Sequence, residues 1–183
     1  MKGNGNGFST LFQKLYFAML PTALMRSNYI MKHRKCFRHL GSPIHWQPRT
    51  FPSDPEYISI GNNVRIASGV TFVNHDAVHA LLADSKMYDF TPKPYVGCIN
   101  IGNNVLIGSN AIIMPNVNIG SNVIIAAGAI VSKDIPDNCV CGGVPASVIC
   151  DFDKIVEKRK KISVSALDTV EDVWNDFFKK RSL

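Results

Sequence analysis

Large aliphatic side chains recur at every sixth position through the second half of the chain. Ile101, Ile107, Ile113, Ile119, Ile125 and Val131 form one row; Val105, Ala111, Val117, Val123, Ala129 and Ile135 follow them by four positions. The same register occurs earlier at Ile60, Ile66 and Phe72, with Val64 and Val70. Between these rows lie Gly, Asn and Ser, as in IGNNV at 60, IGNNV at 101, IGSNA at 107 and IGSNV at 119. A period of six fits neither the 3.6-residue period of a helix face nor the two-residue period of a lone strand. It predicts a parallel β-helix of short flat strands. The large aliphatic points inward, the smaller residue fills the second inward site, and Gly and Asn make corners where positive φ costs them little. Three hexapeptides make about one coil, which buries its inner face only against the coils above and below.

The register breaks between Phe72 and Ile101, where VNHDAVHALLADSKMYDFTPKPYVGCIN leaves the repeat and returns. An excursion this long in a regular solenoid is usually functional or disordered. Tyr88, Phe90 and Tyr95 give it apolar anchors and favour order. Before the repeat, Phe8–Leu20 reads as an amphipathic helix ending before Pro21, with a second helix from about Thr22 to Leu40. After Ile149, DFDKIVEKRKK and SALDTVEDVWNDFF read as helices placed to cap the open end of the solenoid or pack on a neighbour. The organisation is therefore a helical arm and linker over 1–55, a β-helix over 56–150 with its loop at 74–99, and C-terminal helices over 151–183.

Charge refines this division. Residues 1–50 hold eight Lys or Arg and no acid, the first being Asp54; residues 51–150 hold four basic and seven acidic side chains. The excess positive charge lies in the arm, which suits a phosphate-bearing partner or a membrane surface. The apolar run LYFAMLPTALM is too short to span a bilayer. Five cysteines without framework spacing point to reduced thiols and a cytoplasmic setting. Cys139, Cys141 and Cys150 lack the fourth ligand and the tight spacing of a zinc site.

Taken together, TFVNHDAVHALL, INIGNNVLIGSNAIIMPNVNIG, AGAIVSKDIPDN and GGVPASVI resemble the hexapeptide-repeat acetyltransferases. The resemblance is strongest to the galactoside, maltose and polysaccharide O-acetyltransferases, and covers roughly residues 56–150. It implies a left-handed parallel β-helix, against the usual right-handed crossover. It also implies a homotrimer with each site shared between two chains, acetyl-CoA as cosubstrate, no metal, and a bacterial cytoplasmic enzyme, with the arm allowing peripheral contact at the inner membrane face.

By the same resemblance His75 is the general base. A neutral imidazole, whose ordinary pKa is about 6.5, can take a proton from an alcohol at physiological pH. Asn74 and Asp76 flank it and could orient the acceptor or the ring, and His79 is an acceptor contact. Ser109 supplies a backbone amide to the oxyanion, Ala127 lies along the pantetheine arm, and Ser132 and Lys133 reach the phosphates. Ser147 stands where the family usually has a basic residue, and Leu106 where an aromatic often stands, so cofactor contacts are thinner than in the family. Cys98 could in principle be a nucleophile, but it sits at the exit of the loop with no motif around it, and direct transfer needs no covalent acyl-enzyme.

The implied reaction is transfer of acetyl to a carbohydrate hydroxyl. Acetylation of a xenobiotic alcohol or of an amino sugar uses the same solenoid. So does the gamma-type carbonic anhydrase, which needs three metal-binding histidines; only His75 and His79 fall in or beside the repeat, with His33, His39 and His45 in the arm. An inactive scaffold or sugar-binding module is the non-enzymatic reading. Nucleic-acid binding has only the basic arm in its favour, and no recognised motif.

Overall fold

The protein is described here from a computed structural model covering residues 7–85, 89–161, 169–179 and 181. Tyr88 and residues 165–168 of the expected second C-terminal helix lie outside the described residues. The chain divides into two compact units, Met1–Phe152 and Asp153–Leu183.

In the first unit, α1 (Gly7–Met19) ends at Pro21, and α2 (Ala23–Lys32) starts at Thr22, whose hydroxyl accepts from the Met25 amide at 3.2 Å. α2 stops well before Leu40. A 3₁₀ turn over Arg34–Cys36 leads into β1 (His39–Leu40) and β2 (Ile44–Trp46), which belong to the solenoid. The strands that follow are β3 (Ile58–Ile60), β4 (Val64–Ile66) and β5 (Thr71–Phe72). After the loop, which carries α3 (Val78–Ser85), come β6 (Ile99–Ile101), β7 (Val105–Ile107), β8 (Ile112–Ile113), β9 (Val117–Ile119), β10 (Val123–Ile125) and β11 (Ile130–Val131). A hairpin, β12 (Cys139–Gly142) and β13 (Ser147–Asp151), closes the series.

These strands form three parallel faces, ordered β1-β3-β6-β9, β2-β4-β7-β10-β12 and β5-β8-β11, with β13 added antiparallel to the second. Ile99 pairs with Val117 and Val105 with Val123, a step of 18 residues, three hexapeptides per coil. Ile58 pairs with Ile99, a step of 41, so the loop is extruded without disturbing the register on either side. The first coil lies inside the segment expected to be arm and linker. LGSPIHW repeats the IGNNVRI pattern at 60, and Leu40 and Ile44 register with Ile60 and Val64. The final turn differs too: GGVPASVI reverses direction at Gly143, whose φ is 96°.

Both rows of the six-residue pattern are buried. Ile107, Ile113, Ile119, Ile125 and Val131 are fully shielded, as are Ala111, Val123 and Ala129. Phe72, at the end of its row, is half-buried and lies against Trp46, the ring centroids 5.8 Å apart. Each buried aliphatic contributes roughly 1.5–3 kcal/mol, which chain entropy largely offsets.

The corners explain the polar half of the repeat. Asn63, Asn104, Asn110, Asn116, Asn122 and Asn138 all have φ between 54° and 60°. Asn63, Asn104, Asn122 and Asn138 stack as a ladder, each side-chain amide donating to the next carbonyl oxygen at 2.8–3.0 Å. Beside it the coils approach backbone to backbone: a Cβ on Gly102 would sit 2.7 Å from the Gly120 carbonyl oxygen. Asn104→Ala should destabilise the fold by about 2 kcal/mol, through left-handed strain and two lost ladder bonds. Asn104→Gly should cost less, because only the ladder is lost. Denaturant midpoints of the two variants separate the terms.

In the second unit, α4 (Phe152–Lys161) begins at the unit boundary and α5 (Val170–Lys179) is capped by Thr169, whose hydroxyl accepts from the Asp172 amide at 3.2 Å. Trp174 stacks on Phe178. No helix among the described residues is long and apolar enough to cross a membrane.

Candidate active site

The extruded loop has a tight neck. The Gly97 amide donates to the Asn74 carbonyl at 2.7 Å, the Asn74 side-chain amide donates to the Gly97 carbonyl at 3.0 Å, and His75 bridges Val96 in antiparallel fashion. Asn74 is 4% exposed, so its side chain serves this neck rather than an acceptor. The Asp76 carboxylate accepts from the Val78 amide at 3.0 Å and starts α3. Neither flanking residue is the recorded partner of the imidazole.

That partner is Asp54. Its Oδ2 lies 2.6 Å from His75 Nδ1, with the two side chains 29% and 53% exposed respectively. An ionised carboxylate only accepts, so in the neutral ring Nδ1 carries the proton and Nε2 the lone pair. The Asp54 bond holds the ring in orientation and leaves the Nε2 lone pair outside that contact. Asp54 carries no signature in the sequence. It sits in SDPEY just before a 3₁₀ turn at Pro55–Tyr57, 21 residues from His75, with no motif to mark it. Only the return of the first coil brings the two together.

His79 lies on α3 and is partly buried, its Nδ1 buried without a hydrogen-bond partner among the described residues. Ser109 and Ala127 stack on the corner preceding β8 and β11, where the Gly128 amide donates to the Ser109 carbonyl at 2.8 Å. This edge is smooth and open: Ala127 is exposed, and a Cβ on Gly128 would meet nothing within 4 Å. Ser132 and Lys133 are exposed at the next corner, beyond β11. His75 leaves from that same corner of the prism, beyond β5, so within one chain a full face separates it from the Ser109–Ala127 edge. Leu106 is 40% exposed on the outer side of its sheet, and Ser147 opens β13.

The cysteines divide by environment. Cys36 and Cys98 are exposed, whereas Cys139 and Cys141 are buried with their sulfurs 3.4 Å apart. Burial, and then the contact with Cys139, pushes the Cys141 thiol up to about 12, which keeps it protonated and a poor nucleophile.

Residues 99–133 match the family described as bacterial transferase hexapeptide (six repeats). Protein CapG of Staphylococcus aureus is 54% identical over 100 residues, 55% of this chain and 56% of that protein. Galactoside O-acetyltransferase of Escherichia coli (strain K12) is 47% identical over 98 residues, 52% of this chain and 45% of that protein. The chain thus spans about half the length of the curated relatives it matches. A solved galactoside acetyltransferase in complex with coenzyme A superposes with a TM-score of 0.56 at 26% identity, covering 86% of this chain and 88% of that one. The stacked hexapeptide coils and these likenesses agree: residues 99–133 carry the bacterial transferase hexapeptide repeat, and about half of the chain is similar to the acetyltransferases that bear it.

Proposed function

We propose that the protein is an acetyl-CoA-dependent O-acetyltransferase acting on a carbohydrate hydroxyl, with His75 as general base. The observation that carries this reading is the Asp54–His75 pair, a half-exposed imidazole fixed by a carboxylate at the mouth of the loop. The likeness to a galactoside O-acetyltransferase and to a coenzyme A complex supports the donor and the acceptor class.

His75 Nε2 takes the proton of the acceptor hydroxyl as its oxygen attacks the thioester carbonyl. A tetrahedral oxyanion forms, held by the Ser109 amide. Collapse breaks the C–S bond, and the proton on His75 passes to the leaving thiolate, giving the acetyl ester and CoA. Asp54 stabilises the imidazolium between these two transfers. The donor's pantetheine runs along the smooth edge at Ala127, where no side chain projects from Gly128, and Ser132 and Lys133 meet its phosphates. His79 is an acceptor contact. Because Ser109 and His75 lie at different corners of one chain, we read the site as completed by a second copy, in a homotrimer of left-handed coils.

Labelled acetyl-CoA offered with a panel of hydroxyl and amino sugars tests the reading. Label should enter a hydroxyl sugar in a product cleaved by hydroxylamine, as an ester is. A hydroxylamine-stable product would be an amide and would move the protein to N-acetylation. Asp54→Asn should lower kcat roughly 10–10³-fold with little change in KM, since the ring loses its orientation and not its contacts with substrate. Asp54→Glu should restore part of the rate. A rise in KM alone would place Asp54 in acceptor binding.

A further inference from the structure

Helix α1 is apolar on both sides. Phe17 is fully buried and Leu20 is 7% exposed, and these pin one side to the body of the protein. On a 3.6-residue wheel, Leu11, Phe12, Leu15, Tyr16 and Met19 share the opposite side. They are 52–77% exposed. Leu24 and Met25, beyond Pro21, are exposed apolar residues on α2. A patch of this kind on a folded chain marks a surface to be covered.

Its border is cationic. Lys14 lies on α1 between the apolar stripe and the buried side. Arg49 donates to the Ala18 carbonyl at 3.0 Å, so a guanidinium sits at the C-terminal end of α1. Lys32 lines a groove with Tyr16 and Met25. The first 53 residues contain no Asp or Glu. Glu56 lines a cavity with Lys14 and Gln13, on the side of α1 away from the stripe.

We propose that this face of α1, with the start of α2, docks on a bilayer containing anionic phospholipid. A second copy of the same arm would set cation against cation. A membrane meets both features at once: hydrocarbon takes the leucines, phenylalanine and methionine, while phosphates a few ångströms above meet the lysines and Arg49. At 13 residues α1 lies in the interface and does not cross. Asn28 and Tyr29, which share the groove of Lys32, are polar or amphipathic, as groups at headgroup depth tend to be. The inference stands on the arm alone and does not depend on the transferase reading.

The test is co-sedimentation of the full chain with phosphatidylcholine vesicles, with and without about one third phosphatidylglycerol. The protein should sediment with the anionic vesicles, stay in solution with the neutral ones, and be released by high salt. Leu11→Ser combined with Leu15→Ser should lower the bound fraction at least about tenfold, since two apolar side chains lose their insertion. Light-scattering mass and far-UV circular dichroism should match wild type, because both leucines are exposed. Equal sedimentation of variant and wild type would overturn the proposal, as would no binding to either vesicle. So would a fall of the variant to a smaller assembly, which would assign the face to a second copy.

Discussion

Replacing His75 by alanine should reduce acetyl transfer by about 10²–10⁴-fold while leaving the protein folded. The size follows from the role: without a base, the acceptor hydroxyl must attack carrying its proton, or lose it to water. The fold should survive because the ring is half exposed and its recorded side-chain partner, Asp54, is itself partly open to solvent. The cost of an unpaired Asp54 carboxylate is therefore small, unlike that of a buried charge. Steady-state kinetics with saturating acetyl-CoA measure the rate, and a thermal melt checks the fold. Turnover equal to wild type would remove His75 from the chemistry. Loss of the fold would instead give the Asp54 contact a structural role.

Ile107→Ala should destabilise the solenoid by about 2–5 kcal/mol. Ile107 is fully buried in a central coil and registers with Ile66 on one side and Ile125 on the other. Each coil buries its inner face only against its neighbours, so a void here weakens two interfaces. The surrounding strands are fixed by their ladders and by close glycine contacts, which leaves little room to collapse into the gap. A denaturant titration read by circular dichroism measures the loss. A change under about 1 kcal/mol would mean the core relaxes far more freely than stacked coils allow.

What the chain discloses in one dimension follows from how local each constraint is. The inward rows at 60–72 and 101–135 were readable because every coil meets the same packing problem with the same residue classes. The asparagines were readable as corners for the same reason: each must hold a positive φ. The first coil carried the same signal in LGSPIHW, obscured by Pro43 in the corner and Trp46 in an aliphatic row. The reversal into β13 follows no repeat and depends on Gly143. Asp54 was illegible because its pairing with His75 is made by tertiary geometry, between a turn in the first coil and the neck of a loop. The shielding of Asn74 was hidden in the same way: a loop neck has no sequence period, only a hydrogen bond across it.

Acetyl transfer through His75 requires a thioester lying across from that imidazole. Calorimetric titration of acetyl-CoA into the purified full chain should show saturable binding with one equivalent per chain, and His75→Ala should bind with the same affinity. A flat isotherm for the wild-type protein would leave the coils a scaffold and contradict the account.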